Sequence, residues 1–282
     1  MKVLILGSTG VLGNNIKKFL QNKKIKLSYI TRNKSLKSQI YLKDFTNFKK
    51  LGFLIKQINP DYIINCIGVT KFHNDYEIKK ITKLINTKLP IFLSKLCLKR
   101  KIYFLHISTD CVFFGDKGNY VDTAKKDAKD LYGLSKNYGE VKNKFSTTIR
   151  TSFIGPELNS HKSLLNWFLN QKNKINGFSN AYFSGLTSLE LSKLIYKYFL
   201  KRNDLYNQVI NIGGKKISKY NLLIIISKVF KKKIFILKYT KFKIDRSLDS
   251  SKFRKLSGYK LPKWIDLIND LKSFMNKNKY KY

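Results

Sequence analysis

The chain has 282 residues, of which 57 are Lys or Arg and 17 are Asp or Glu, so its formal net charge is +40. Its length and its 43% hydrophobic content are enough for one large α/β domain, or for a domain with a smaller lobe. The apolar runs at 3–6 and 222–226 are too short for a secretory signal or a bilayer span. We therefore expect a cytoplasmic protein without a membrane partner.

The large positive charge makes a nucleic-acid or anionic-surface partner worth weighing. The lysines are spread along the whole chain, and only three alanines accompany the abundant Lys, Asn and Ile. An AT-rich coding sequence gives this composition, so we expect no dedicated nucleic-acid partner. The charge still favours binding of an anionic ligand.

The cysteines and histidines argue against a metal site and against a disulfide framework. There are three cysteines, an odd number, and no CxxC spacing occurs. The three histidines are scattered and form no metal-ligand pair with a cysteine. We expect a reducing compartment and no bound metal.

Short apolar runs alternate with helical patterns in the first half of the chain. Residues 11–22 and 77–99 have helical spacing, and Pro90 should kink the second helix. This alternation predicts an α/β protein with a doubly wound parallel Rossmann sheet. The predicted strands are residues 2–6, 27–30, 40–42, 62–68, 102–108 and 147–152.

The alternation weakens after Thr151, where a helix at 188–201 and isolated strands at 208–212 and 234–237 are predicted. We expect residues 1–150 to form the NAD(P)-binding Rossmann domain, with later segments returning to it near 205–215. Residues 151–282 should then form mainly a smaller C-terminal α/β lobe that binds the substrate.

The segment GSTGVLG follows the first strand and opens the first helix. Glycines in this position allow a tight turn, close approach of the backbone to a pyrophosphate, and close packing of helix on strand. A glycine-rich turn is weak alone and much stronger between a strand and a helix. The expected cofactor contacts here are Gly7, Thr9, Gly10, Val11, Leu12 and Gly13.

The second strand should end at Thr31-Arg32-Asn33-Lys34, where a site that prefers NAD would usually carry an acidic residue. None is present there. Arg32, helped by Lys34, suits a 2′-phosphate instead, so the expected cofactor is NADP(H).

Tyr132 and Lys136 lie four residues apart in DLYGLSKNYGE, so on a helix they share one face. A fixed ammonium group nearby would lower the pKa of the tyrosine towards neutrality and make it a working acid–base group. The pair alone is a weak signal. It gains weight because it follows a predicted strand that ends at Ser108 and Thr109, and ligands bind at the carboxyl ends of such strands.

Three stretches together resemble the dTDP-4-dehydrorhamnose reductase family of extended short-chain reductases. They are STDCVFFGDKGNY from Ser108, DAKDLYGLSKNYGE from Asp127, and IRTS from Ile149. PDYIINCIGVTK resembles the family's fourth strand, and FSGLTSLELSKLI, NIGGKKISKYNLL, DRSLDSSKF and LPKW are similar to its substrate lobe. The resemblance covers essentially the whole chain.

The resemblance implies NADPH-dependent reduction of the 4-keto group of a nucleotide-diphospho-4-keto-6-deoxyhexose, for surface polysaccharide sugars. Tyr132 would protonate the carbonyl oxygen, Lys136 would hold the nicotinamide ribose, and Thr109 would hydrogen-bond the carbonyl oxygen. Further contacts implied are Asp44, Phe45, Cys66 and Gly68 with the cofactor, and Ser108, Asp110, Arg150, Ser184, Thr187 and Arg246 with the sugar nucleotide. For the last four, a structural role is an equal alternative.

One residue departs from the family's pattern: Cys111 stands where a tyrosine often follows S-T-D. A reductase for UDP-linked 2-acetamido-4-keto-6-deoxy sugars therefore stays open. So do a non-catalytic NADP-binding regulatory subunit, an epimerase or dehydratase of the same superfamily, and a nucleic-acid-binding protein. A homodimer is also left open.

Overall fold

The computed structural model describes residues 1–32, 40–70, 76–158 and 163–280. Its strands are β1 (Lys2–Leu6), β2 (Lys26–Thr31), β3 (Ile40–Tyr41), β4 (Tyr62–Asn65), β5 (Tyr103–Ile107), β6 (Ser146–Arg150), β7 (Phe153–Ile154), β8 (Lys174–Phe183), β9 (Leu186–Thr187), β10 (Val209–Asn211), β11 (Ile217–Ser218) and β12 (Phe235–Asp245). Its α-helices are α1 (Val11–Leu20), α2 (Phe48–Ile58), α3 (Tyr76–Lys83), α4 (Leu89–Arg100), α5 (Leu131–Tyr138), α6 (Leu164–Asn170), α7 (Ser188–Ile195), α8 (Lys219–Phe230), α9 (Ser251–Ser257) and α10 (Trp264–Lys277).

The largest sheet has seven parallel strands in the spatial order β10-β6-β5-β4-β1-β2-β3. The strand order reverses direction beside β1, as it does in a doubly wound fold, so the carboxyl ends of β1, β4 and β5 meet at one edge. The predicted fold class is confirmed. Each predicted strand of the first half is present, with ends that differ by at most three residues.

Both faces of this sheet are buried, which explains why its strands are apolar throughout. Val3 and Ile5 of β1 belong to the core on the α1 side, whereas Leu4 and Leu6 belong to the core on the side of α2 and α4. Helices α7 and α10 from the second half pack in the same core as α1.

The helix predicted at 77–99 is divided. Helix α3 is followed by a π-helical turn (Leu84–Lys88), and Pro90 stands in the first turn of α4. Proline has no N–H to donate, so the carbonyl of Asn86 loses its usual intrahelical partner. That carbonyl instead faces Gly139, where an added Cβ would lie only 1.9 Å from the oxygen.

The second half contains a strand that the sequence reading missed. Strand β8 pairs with β11 and β12 in a three-stranded sheet. Its burial alternates along its length, with Ile175, Ala181 and Phe183 buried, which is the period of a half-exposed strand. Strand β12 is also longer than predicted.

One later strand completes the large sheet, since β10 pairs in parallel with β6. A division of the chain at residue 150 stays a prediction. Within the described residues, no helix is long and apolar enough to cross a membrane, and no cluster of three His, Cys, Asp or Glu side chains could hold a metal ion.

Candidate active site

A glycine turn joins β1 to α1 at the carboxyl edge of the sheet. Gly7 has a φ of +82°, in the left-handed region that glycine adopts without strain. A Cβ on Gly13 would lie 2.2 Å from the Gly7 carbonyl oxygen, so only glycine lets α1 start this close to the turn. Gly10 caps α1 without a side-chain hydrogen bond, and the first turn of α1 carries no acidic residue. The first amides of α1 therefore lack a side-chain acceptor at a helix end that favours an anion.

Ser8 adds a second sign of a ligand at this turn. Its side chain is buried, and among the described residues its Oγ has no hydrogen-bond partner. Leaving a buried hydroxyl unpaired costs about 1–3 kcal/mol, so a bound group could supply the missing partner. Thr9, the predicted contact beside it, is exposed.

Arg32 follows β2 and is exposed at the same edge. Asp44 lies near it: hydrogen bonds from the Thr46 hydroxyl and amide, and then the positive charge of Arg32, lower the pKa of Asp44. Phe45 is buried in the core beneath. Lys34 lies outside the described residues.

Cys66 links the glycine turn to the centre of the site. A Cβ on Gly7 would lie 3.0 Å from the carbonyl carbon of Cys66, so the two backbones are in close contact. Burial raises the pKa of the Cys66 thiol to about 12, partly opposed by the charge of Lys136. The thiol is therefore neutral near pH 7. Gly68 lies beside Asn86, whose amide oxygen would be 3.6 Å from an added Cβ.

The three predicted catalytic residues are brought together after β5 and on α5. Asp130 caps α5 by accepting a hydrogen bond from the Gly133 amide (2.8 Å). A Cβ on Gly133 would lie 2.2 Å from the Cys111 carbonyl oxygen, so α5 packs directly on the segment that carries Thr109. The Thr109 side chain is within hydrogen-bonding reach of Tyr132.

Tyr132 differs from the sequence expectation in its acidity. Burial raises the pKa of Tyr132 well above its usual value, Cys111 adds to the effect, and the hydrogen bond with Thr109 opposes it. The expected lowering of this pKa is wrong for the protein alone, because burial of the phenol is the largest effect on it. Tyr132 is a neutral phenol at physiological pH.

The Lys136 side chain is buried, and its end lies beside the carboxyl end of β5. Its Nζ donates to the Ile107 carbonyl oxygen (2.6 Å) and lies 3.4 Å from Nε2 of His106. Burial lowers the pKa of Lys136 from 10.5 to about 8, and the charge of Glu140 is the larger of the two effects that oppose this shift. Its ammonium form is therefore close to titrating under physiological conditions.

A buried ion-pair network lies behind Lys136. Arg150 donates through Nε (2.7 Å) and Nη2 (2.9 Å) to the two carboxylate oxygens of Glu140, and through Nη1 to the Asp122 carbonyl oxygen (2.8 Å). Ser108 donates to Glu140 (3.0 Å), and Lys126 pairs with it at 3.2 Å. These contacts favour the structural role for Arg150 and turn the Ser108 hydroxyl towards the network.

A second group of charges surrounds Asp110, next to Tyr132. Burial raises the pKa of Asp110, and the positive charges of Lys219 and Arg246 oppose that rise. Arg246 donates to the Phe113 carbonyl oxygen (3.1 Å), and its Nη1 lies 3.5 Å from the Cys111 sulfur. Lys219, the first residue of α8, was not predicted.

The other two predicted substrate residues tie loops together. The Ser184 hydroxyl accepts from the Leu248 amide (2.7 Å) and donates to the Leu248 carbonyl oxygen (3.2 Å). The Thr187 hydroxyl caps α7 by accepting from the Glu190 amide. Both side chains are buried. Their hydrogen bonds favour a structural role, and their contacts with the substrate stay predictions.

The family model described as RmlD substrate binding domain matches residues 1–174. That match covers more than half of the chain. The chain belongs to this family. The resemblance drawn from the sequence is thus confirmed.

Two curated proteins and one solved structure are similar to this chain. A probable low-salt glycan biosynthesis reductase of Haloferax volcanii is 27% identical over 143 residues, 50% of this chain and 48% of that protein. A dTDP-4-keto-6-deoxy-D-glucose reductase of Streptomyces niveus is 27% identical over 138 residues, 49% of this chain and 45% of that protein. The matched segment spans about half the length of each.

The crystal structure of dTDP-4-dehydrorhamnose reductase from Bacillus anthracis, in complex with NADP, has a TM-score of 0.82 to this chain at 19% identity. The match covers 96% of this chain and 98% of that one. At that identity the likeness establishes the fold.

Sequence reasoning missed three residues of this RmlD-family site: Glu140, His106 and Lys219. Glu140 ends the motif that carries Tyr132 and Lys136, and a carboxylate so close to a catalytic pair could have been singled out. His106 begins HISTD, directly before the predicted hydroxyl residues. Lys219 could not be predicted from local sequence, because it begins α8 and acts on Asp110, which lies more than a hundred residues earlier in the chain.

Replacing Glu140 with Gln should lower the free energy of unfolding by about 3–5 kcal/mol, because the buried Arg150 guanidinium loses its charge partner. Urea unfolding followed by circular dichroism measures this. The matched control is Asp204→Asn, which breaks the exposed pair with Arg202 and should barely move the midpoint. A Glu140→Gln protein as stable as the parent would contradict a structural role for the pair.

Proposed function

We propose that this RmlD-family protein uses NADPH to reduce the 4-keto group of a nucleotide-diphospho-4-keto-6-deoxyhexose, in the making of surface polysaccharide sugars. The observation that carries the proposal is the grouping of Thr109, Tyr132 and Lys136 beside the glycine turn. Cys66 touches that turn and lies near Lys136, so the two halves of the site adjoin.

The glycine turn supports a dinucleotide as the bound cofactor. The uncapped end of α1 and the unpaired Ser8 hydroxyl fit a pyrophosphate, and Gly7 and Gly13 leave no room for larger residues. Arg32 is exposed beside this end and fits a 2′-phosphate, which favours NADP(H). NADPH supplies the hydride when bound.

Tyr132 serves as the general acid in this proposal. Reduction of a ketone requires a proton for the carbonyl oxygen, and a phenol with a raised pKa carries that proton at physiological pH. The Thr109 hydroxyl would stabilise the carbonyl oxygen while it gains negative charge, and the Lys136 ammonium would stabilise the Tyr132 phenolate left after the proton has been transferred. Thr109 now donates to Asp110 (3.1 Å) and would turn to the substrate oxygen.

The charged side chains around Asp110 suit an anionic sugar nucleotide. Arg246 and Lys219 supply positive charge for a diphosphate, and Asp110 supplies an acceptor for a sugar hydroxyl. The names of the relatives from Streptomyces niveus and Bacillus anthracis favour a dTDP-linked substrate. Cys111 is a small side chain beside Arg246, which keeps a UDP-linked 2-acetamido sugar as the alternative.

The activity is tested by following NADPH absorbance with dTDP-linked and UDP-linked 4-keto-6-deoxy sugars side by side. Tyr132→Phe should lower the turnover by about 10²–10⁴-fold, because it removes the proton donor and little else. Tyr138→Phe, on the same helix and 67% exposed, is the matched control and should leave it unchanged. Full activity in Tyr132→Phe would contradict the mechanism. Tight NADPH binding with no oxidation of NADPH in the presence of either sugar nucleotide would favour the regulatory subunit.

The cofactor preference depends on Arg32 in this account. Arg32→Ala should raise the KM for NADPH by roughly tenfold and leave the KM for NADH nearly unchanged, because the charge contact involves the 2′-phosphate alone. Lys26→Ala removes an equal charge from the opposite end of β2 and should change neither value. Equal effects of Arg32→Ala on both cofactors would contradict this assignment.

The rate should also fall in alkaline solution as Lys136 loses its proton. Its pKa of about 8 means that the ammonium form predominates below that pH and the amine above it. Values of kcat/KM should therefore be flat on the acid side of this value and fall about tenfold per unit well above it. Lys136→Arg, whose guanidinium does not titrate in this range, should lack this limb in whatever activity remains.

A further inference from the structure

A buried chain of polar side chains runs from β4 through β5 to α5. The Asn65 amide nitrogen lies 3.2 Å from Nδ1 of His106, and Nε2 of the same ring lies 3.4 Å from Nζ of Lys136. All three side chains are almost completely buried, and Asn65 and His106 are each 0% exposed. The chain ends at a predicted catalytic residue, whereas its other two members have no part in the chemistry proposed above.

The orientation of the Asn65 amide is fixed by the backbone. Its Oδ1 accepts a hydrogen bond from the Ile67 amide (3.1 Å), so its Nδ2 must be the atom that faces His106. Turning the amide over would set two N–H groups against each other at Ile67. Asn65 therefore donates to Nδ1 of His106, which can accept only when it carries no proton.

This donation determines where the imidazole keeps its proton. Burial, and then the charge of Lys136, lowers the pKa of His106 well below its usual value, so the ring is neutral. A neutral ring with a bare Nδ1 carries its proton on Nε2. That N–H points at Nζ of Lys136. It can donate to a neutral amine, whereas an ammonium group has no lone pair to accept it and the two donors repel.

The other groups around Lys136 act in the opposite direction or are uncharged. Glu140, two residues after α5, and Cys66 after β4 both raise its pKa, and the Ile107 carbonyl oxygen accepts from Nζ in either charge state. Glu140 is itself held by Arg150 and Lys126. The His106 N–H is thus the neighbouring group whose hydrogen bond favours the amine.

We propose that His106, held by Asn65 as the tautomer protonated on Nε2, is a positioning residue that fixes the Lys136 amino group and disfavours its charged form. The Ile67 backbone amide fixes Asn65, and Asn65 in turn sets the direction of the hydrogen bonds from itself through His106 to Lys136. The part that concerns catalysis rests on the reductase function proposed above; the tautomer itself does not.

The tautomer is measured directly by nitrogen-15 NMR of the histidine rings in the full chain. The protein has three histidines, and the signal lost in His106→Gln assigns the ring. The wild-type ring should show the proton on Nε2 and should not titrate between about pH 6 and 9. A proton on Nδ1, or titration near the ordinary histidine pKa of about 6.5, would overturn the proposal.

Reversing the polarity provides the second test. Asn65→Asp replaces the donor with an acceptor, so the ring proton should move to Nδ1 and Nε2 should accept from the Lys136 ammonium. The alkaline fall in kcat/KM should then shift upward, leaving about threefold more relative activity than wild type one unit above its midpoint.

Asn203→Asp is the matched control, since Asn203 bonds Tyr62 at the opposite end of β4 and should change neither readout. An Asn65→Asp protein with the wild-type tautomer and the wild-type limb would overturn the proposal. If the protein proves not to be a reductase, the NMR result still decides the tautomer, so the two failures are distinguishable.

Discussion

The burial of one ammonium group at the carboxyl edge of the large sheet is the constraint on which the site depends. Lys136 reaches from α5 into a region where charge is costly, and the Ile107 carbonyl oxygen, His106 and Cys66 surround its end. The Glu140 carboxylate offsets part of that cost from behind. These groups lie on, or directly after, β4, β5 and α5. The packing of the three elements therefore sets the pKa of the lysine.

Close backbone contact holds those elements in place. At Gly13 and at Gly133 an added Cβ would lie 2.2 Å from a carbonyl oxygen of the neighbouring segment. The first contact brings α1 to the turn that fits a pyrophosphate, and the second brings Tyr132 to Thr109. Close backbone packing therefore places the glycine turn and the Tyr132–Lys136 pair at the same edge of the large sheet.

The first half of the fold could be predicted because its parallel strands are buried on both faces and so appear as apolar runs such as KVLIL. Strand β8 was missed because one of its faces is exposed and the apolar residues of its buried face are interrupted by Gly177 and Ser179. Tyr132 and Lys136 were predicted from spacing and position. The Arg150–Glu140 pair and Lys219 were not predicted, because their partners are set by tertiary packing and not by local sequence. The predicted lowering of the Tyr132 pKa was wrong for a similar reason: spacing along a helix does not show how deeply the phenol is buried, and burial raises the pKa.

The central claim is that a hydride passes to a sugar carbon beside Tyr132. The direct measurement uses NADPH carrying deuterium at the transferred position, with proton and deuterium NMR of the sugar nucleotide formed from the 4-keto donor. The account predicts one deuterium, bound to carbon 4 of the product with a single configuration. Product without deuterium at carbon 4, or deuterium found only in solvent, would contradict it and would favour an epimerase or dehydratase.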